Sequence, residues 1–129
     1  MLDSEGLWAV ARNDSEDARA VLASSREAGV PVLVPAVVLA EMLFGDSRDA
    51  RVNQKLKKLQ VVPVSESIAR VAAKLKRLAD TSGVTGTVDA LVVAVSAAAG
   101  GGVVLTADVD DIGRLAGAVS AVRIRPIRV

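Results

Sequence analysis

The sequence predicts one α/β domain built on a central parallel sheet of about five strands. Three observations carry the prediction. Short apolar runs, among them residues 30–34 (VPVLV) and 61–64 (VVPV), alternate with segments of helical spacing along the chain. That is the pattern of parallel strands joined by crossover helices. Residues 90–107 carry no charge, so a helix apolar on every side and a strand covered on both faces lie in the interior. The chain has 129 residues, 51% of them hydrophobic, and no repeats or low-complexity tracts, which suits a single packed core.

Each element follows from local chemistry. Met1 and Leu2 form the stub of a strand, with Asp3 at its end. A helix is expected over residues 6–11, a break at 13–15, and a second helix to about Ala28, with Ala18, Val21 and Leu22 on its apolar face. Gly29 is placed to end it as a left-handed cap. The strand over 30–34 leads to Pro35, which suits a first helical turn, and to an apolar helix over 36–44 whose one charge is Glu41. After a break at 45–47, a basic helix spans 49–59 and a strand spans 61–64. Ser65 is read as the cap of a helix to about Thr81, with Ile68, Val71, Ala72, Leu75 and Leu78 at helical spacing. Residues 82–86 form a loop. Thr87 is expected to cap the central helix, placing Asp89 in its first turn. Three glycines, Gly100 to Gly102, break the chain before a strand over 103–106. A short helix through Ile112, Leu115 and Ala116 and a last strand over 119–127 complete the fold.

Composition excludes several chemistries. The chain has no Cys, His or Tyr, which removes Cys/His zinc sites, disulfides, Ser-His-Asp and Cys-His catalysis, and a His general base. Any catalysis rests on carboxylates, hydroxyls, Lys and Arg, and that favours a hard cation with oxygen ligands. The net charge of +1 hides a segregation: residues 1–50 carry nine acids and four bases, and residues 51–80 carry eight bases and two acids. The basic middle is either a polyanion-facing surface or a pair of solvated helices. The uncharged run approaches the length of a membrane span, but its glycines divide it into helix, turn and strand. With no basic segment leading an apolar core at the start, a cytoplasmic protein without membrane attachment is expected.

Four acids stand out. In an open parallel sheet, ligands bind beyond the carboxyl ends of the strands. Asp3 and Asp108 each follow a strand, Asp89 begins a helix, and Glu41 lies within an apolar one. Singly, an Asp after a strand is often a turn or helix cap, and an Asp in a first helical turn simply favours the dipole. Glu41 is harder to dismiss, because an unpaired buried carboxylate is costly. Gathered at one edge, four carboxylates repel one another unless a cation such as Mg²⁺ or Mn²⁺ joins them.

At this point the sequence resembles the PIN-domain nucleases, and among them the VapC-type toxins of prokaryotic toxin–antitoxin pairs. The motif pieces are LDSEGL at 2–7, VPAVVLAEMLFG at 34–45, TVDALVVAVSA at 87–97 and VVLTADVDDIGRLA at 103–116. Each is moderately specific; all four in this order and spacing are strongly so, and they span nearly the whole chain. The resemblance implies a three-layer α/β/α PIN-like domain over residues 1–129 and metal-dependent endoribonuclease activity. It matches Asp3, Glu41 and Asp89 to the three most constant metal-site positions and Asp108 to the fourth, in the Ser/Thr-x-Asp pattern of Thr106 to Asp108. Ser4 falls where a small hydroxyl residue is common. Thr106 is a candidate to hydrogen-bond a ligand carboxylate or water from behind. Asp111 is either a further acid of the site or a helix cap, while Asp110 and Glu5 read as structural. One departure is the short first strand: only two residues precede Asp3.

The implied reaction is hydrolysis of an RNA phosphodiester by water activated with Mg²⁺ or Mn²⁺ held by the four carboxylates, leaving 5′-phosphate and 3′-hydroxyl ends. On charge alone, Arg12, Arg51, Lys55, Lys57 and Lys58 are candidates for the RNA backbone. Aromatics are only 2% of the chain, so base stacking is not expected to be the main grip, and Trp8 and Phe44 are assigned to the core or an interface. A homodimer and a cognate antitoxin are the implied partners. Two other readings are weighed: a receiver-like phosphoacceptor domain, and a nuclease-like fold kept only for binding. Against the first, no Lys follows Lys76. The four acids argue against the second.

Overall fold

The computed structural model describes residues 1–79 and 86–129. Helices and strands alternate as the sequence predicts. The order is α1 (Ser4–Arg12), α2 (Glu16–Glu27), β1 (Leu33–Pro35), α3 (Ala36–Met42), a 3-10 turn (Ser47–Asp49), α4 (Ala50–Leu56), β2 (Gln60–Val62), α5 (Glu66–Ala79), α6 (Thr87–Ala98), β3 (Gly102–Thr106), α7 (Val109–Gly117) and β4 (Ile124–Arg128).

All strand pairing is parallel, and it joins fewer strands at a time than the expected sheet of about five. Among the described residues there are two pairs, β1 with β2 and β3 with β4. The N-terminal segment makes hydrogen bonds to both. The Leu2 amide donates to the Leu33 carbonyl at 2.9 Å, and the Leu105 amide donates to the Met1 carbonyl at 3.0 Å. The segment pairs with β3 as a single parallel bridge, Leu2 to Leu105.

The core lies around this segment. Leu2, Leu7, Val34, Val38, Val92, Val104, Leu105, Ile112 and Leu115 are all fully buried. In α6, every residue from Ala90 to Ser96 is buried, as its uncharged sequence requires. Helix α6 packs against both α5 and α7. Burying one Leu or Val side chain contributes about 1.5–3 kcal/mol, so α6 and the Leu2 segment anchor the interior.

Several boundaries differ from the sequence reading, each because backbone groups are used elsewhere. The last strand begins at Ile124 rather than 119, since the Ala118 and Val119 amides donate to the Leu115 and Ala116 carbonyls to close α7. The first begins at Leu33 rather than 30, because the Val30 amide donates to Ser25 and finishes α2. Helix α4 stops at Leu56, where Lys58 and Leu59 turn back on the Lys55 and Leu56 carbonyls. Thr87 is the first residue of α6, not its cap; Gly86 is the cap, and the Thr87 hydroxyl accepts from Lys76 Nζ at 2.9 Å. Ser65 does cap α5, its hydroxyl accepting from the Ile68 amide. The expected extension of α5 to Thr81 and the loop at 82–85 lie outside the described residues. The glycine break after α6 has a concrete cause at Gly101. Its φ is +84°, and a Cβ there would strike the Arg123 carbonyl, so only glycine fits. Among the described residues, no helix is long and apolar enough to cross a membrane.

Candidate active site

The carboxylates that the sequence singles out come together at one cleft of about 510 Å³, whose wall includes Asp3, Glu41, Asp89 and Asp108. Each reaches it from a different element. Asp3 caps α1, Glu41 lies near the end of α3, Asp89 is in the first turn of α6, and Asp108 caps α7. No Lys or Arg among the described residues is part of the wall.

Asp3 is the most enclosed, with 6% of its surface exposed. Its Oδ1 accepts from the Gly6 amide at 2.7 Å. That contact depends on the close approach of α1 to β3, since a Cβ on Gly6 would run into the Leu105 carbonyl. Burial pushes the Asp3 carboxyl above its ordinary range. Hydrogen bonds from Thr106 and Gly6 oppose that rise, while the charges of Glu5 and Glu41 add to it.

Thr106, wholly buried at the end of β3, ties two acids together. Its side chain stands beside Asp3 and opposes the rise of that carboxyl, and its hydroxyl oxygen accepts from the Asp108 amide at 2.9 Å. The Ser/Thr-x-Asp pattern therefore has a local function: the hydroxyl fixes both the carboxylate beside it and the chain turn after it. Asp108 Oδ1 accepts from the Asp111 amide at 3.0 Å, capping α7. Asp111 is paired with Arg114 at 3.1 Å and still contributes negative charge to the site.

Asp89 carries the clearest electrostatic mark. Its carboxyl is raised from 3.8 to about 6, first by burial and then by the charges of Asp3, Asp108, Glu41 and Asp111. Five acids thus share one field with no cation to offset it in the cleft wall.

Glu41 corrects the sequence argument. It was expected inside an apolar helix, yet it is exposed; of the residues of α3, only Val38 is buried. The helix is short and lies at the surface, so most of its apolar residues are only half-covered. Glu41 instead faces the cleft, where the Ser4 hydroxyl donates to its Oε2.

The basic candidates are not gathered at the acids. Lys55 and Lys58 line a separate cavity with Val10 and Leu22. Arg51 and Lys57 are exposed on α4 and just past its end. Arg12 alone adjoins the cleft, its guanidinium 4.6 Å from the centre of the Trp8 ring. Trp8 packs against the core, one of the two places expected for the aromatics. Trp8 is half-buried and Phe44 is 60% exposed, and both stand in the cleft wall. Arg48, whose guanidinium lies 4.0 Å from the centre of the Phe44 ring, was not singled out in the sequence.

The acids suit a hard divalent cation by their chemistry: oxygen donors only, and negative charge that nothing in the cleft wall neutralises. Among the described residues, no group of three or more acids is drawn together tightly enough to hold one ion between them. Mg²⁺ does not need such a group, because one or two carboxylates and several waters complete its shell.

A family model described as PIN domain matches residues 1–118. The chain belongs to the PIN domain family. This PIN domain is similar in structure to VapBC2 from Rickettsia felis, solved bound to a DNA fragment from its promoter. The TM-score is 0.76 at 15% identity, over 98% of this chain and 97% of the other. It is also similar to FitAB bound to an IR36 DNA fragment, with TM-score 0.68 at 20% identity over 98% and 92% of the two chains. At these identities the likeness is one of fold. No curated protein sequence matches the chain significantly. PIN domains are in general nucleases.

Proposed function

We propose that this PIN domain is the ribonuclease toxin of a toxin–antitoxin pair, acting in the cytoplasm on RNA with Mg²⁺ or Mn²⁺. The observation that carries the reading is the convergence of Asp3, Glu41, Asp89 and Asp108 on one cleft, with Asp89 held near a pKa of 6 by burial and its acidic neighbours. Family membership supports nuclease chemistry. The fold shared with two complexes, VapBC2 and FitAB, supports the toxin assignment and a cognate antitoxin as partner; a homodimer is part of the same proposal. On this reading the whole of 1–129 is one domain, since β4 lies beyond the matched residues yet pairs along its length with β3. The two strand pairs and the Met1–Asp3 segment between them then form one five-membered parallel layer.

Asp3, Asp89 and Asp108 would hold the cation, with Glu41 directly or through water. A divalent cation bound there supplies positive charge to activate water and to stabilise a phosphoryl group during hydrolysis. The chain's residues do the positioning. Thr106 fixes Asp3 and the turn to Asp108. Ser4 orients Glu41. The half-buried Asp89, whose carboxyl is raised by burial and by its acidic neighbours, would be held in its charged form by the cation.

The test is cleavage of total RNA by the purified protein with Mg²⁺ or Mn²⁺, beside EDTA and an Asp89→Asn variant. Discrete cuts with 5′-phosphate ends that disappear in both controls are expected, with activity lowered at least about a hundredfold in the variant. Cutting that survives either control rules out this assignment. A folded protein that binds metal but cuts nothing favours a binding-only PIN fold.

A further inference from the structure

We propose that Trp8 and Phe44 are base-stacking positions, taking nucleobases of a single-stranded RNA in the acidic cleft. This deepens the nuclease reading and rests on it. The chain has only these two aromatic residues, and both stand in the wall that holds Asp3, Glu41, Asp89 and Asp108. A lone exposed ring means little. Here a guanidinium lies over each ring: Arg12 is 4.6 Å from the Trp8 centroid, and Arg48 is 4.0 Å from that of Phe44.

The two platforms are built differently, and both are fixed. Ser4, Trp8 and Arg12 share one face of α1 at four-residue spacing, so the stack is set by the helix that also carries the Asp3 cap. Phe44 is held through its backbone. The buried Asp49 carboxylate accepts from the Phe44 amide at 3.0 Å and the Gly45 amide at 2.8 Å. Arg48 is clamped over the ring by Asp46, with Nε to Oδ1 at 3.0 Å and Nη2 to Oδ2 at 2.7 Å. Holding the backbone of a ring that is 60% exposed in this way lowers the ordering entropy that binding must supply. A nucleobase supplies a π face for each ring. Its attached phosphate supplies negative charge for the exposed edges of Arg12 and Arg48, whose side chains are 50% and 63% exposed. An aliphatic protein side chain would use the rings but not the guanidiniums. Stacking is tolerant of base identity, so these positions give register along the strand more than sequence choice.

Trp8 is the only tryptophan, and its emission reports directly on the cleft. The full-length Asp89→Asn protein, which leaves RNA uncut on the reading above, is titrated in Mg²⁺ with a randomised single-stranded RNA and with an abasic backbone of equal length. The expected result is quenching by RNA, with much weaker binding and no quenching by the abasic strand. Adding Phe44→Leu weakens RNA binding about ten-fold, and Phe44→Tyr restores it. In the protein with Asp89 intact, Phe44→Leu raises KM by more than it lowers kcat. The proposal is overturned if RNA does not bind, if the abasic strand binds as well as RNA, or if Phe44→Leu binds like its parent. The rings would then belong to a protein contact. Base-dependent quenching without any cleavage by the Asp89 protein would sink the nuclease reading and leave the stacking sites standing. Cleavage with base-independent binding would do the reverse.

Discussion

At the residue scale, the molecule turns on how Asp89 is housed. Its carboxyl titrates at about 6 in the folded chain, against 3.8 unperturbed. Between those values the folded chain holds a proton that the unfolded chain has already lost. Stability therefore falls as pH rises from about 4 to 6 and stays lowered above. Asp3, also raised by burial, acts in the same direction. Asp89→Asn removes this loss, and the variant is expected to gain about 1 kcal/mol at pH 7, a value discounted for the half-exposed position. That is a few degrees in melting temperature, with no gain at pH 3. A melting temperature at pH 7 equal to or below that of the parent would show that the acids do not oppose one another. Mg²⁺ or Mn²⁺ is expected to raise the melting temperature of the parent more than that of Asp89→Asn, which reports binding without reference to activity.

At the scale of elements, the N-terminus of α1 against β3 is the joint that sets the site. Glycine inside a helix costs about 0.5–1 kcal/mol relative to alanine, so Gly6 needs a reason. The reason is the Leu105 carbonyl, which a Cβ would strike. Gly6→Ala is expected to destabilise by about 1–3 kcal/mol despite the better helix propensity. It should also loosen the Gly6 amide from Asp3 Oδ1 and so depress metal affinity. An unchanged or raised melting temperature would show that α1 does not press on β3 in this way. Thr106→Val tests the neighbouring joint. It keeps the shape at a buried position but removes the hydroxyl that serves Asp3 and the Asp108 amide. The expected cost is about 1–3 kcal/mol for the unsatisfied groups, read as a lower denaturant midpoint.

At the scale of the whole molecule, a three-residue N-terminal segment is the link between two strand pairs. Leu2 is 1% exposed, and its amide donates to Leu33 while the Leu105 amide reaches back to Met1. If the pairs act as one layer, the Leu2 and Leu105 amides exchange hydrogen only through global unfolding, with the slowest rates in the chain. Fast exchange at Leu2 beside slow exchange at Leu105 would show two sheets that open separately. The same arrangement explains why acids far apart in sequence meet. Asp3 and Asp108 cap the helices that follow Leu2 and β3, Asp89 lies in the first turn of α6 and Glu41 near the end of α3. Open parallel sheets favour sites beyond their strand ends.

The sequence by itself determined the α/β alternation, the buried character of α6, and the identity of the acids at the cleft, because periodicity, charge gaps and caps are local signals. It misplaced strand starts at 30 and 119, where amides are spent on closing the preceding helices. It also misjudged Glu41, because apolar composition does not say which side of a short surface helix is covered. Only the tertiary structure decided that Asp89 feels four other carboxylates, that Lys55 and Lys58 face a different cavity, and that Trp8 and Phe44 stand in the acidic wall with Arg12 and Arg48 against their rings. These are matters of distance between residues remote in the chain, set by how α1, α3, α6 and α7 pack on the strands, and no local pattern encodes them.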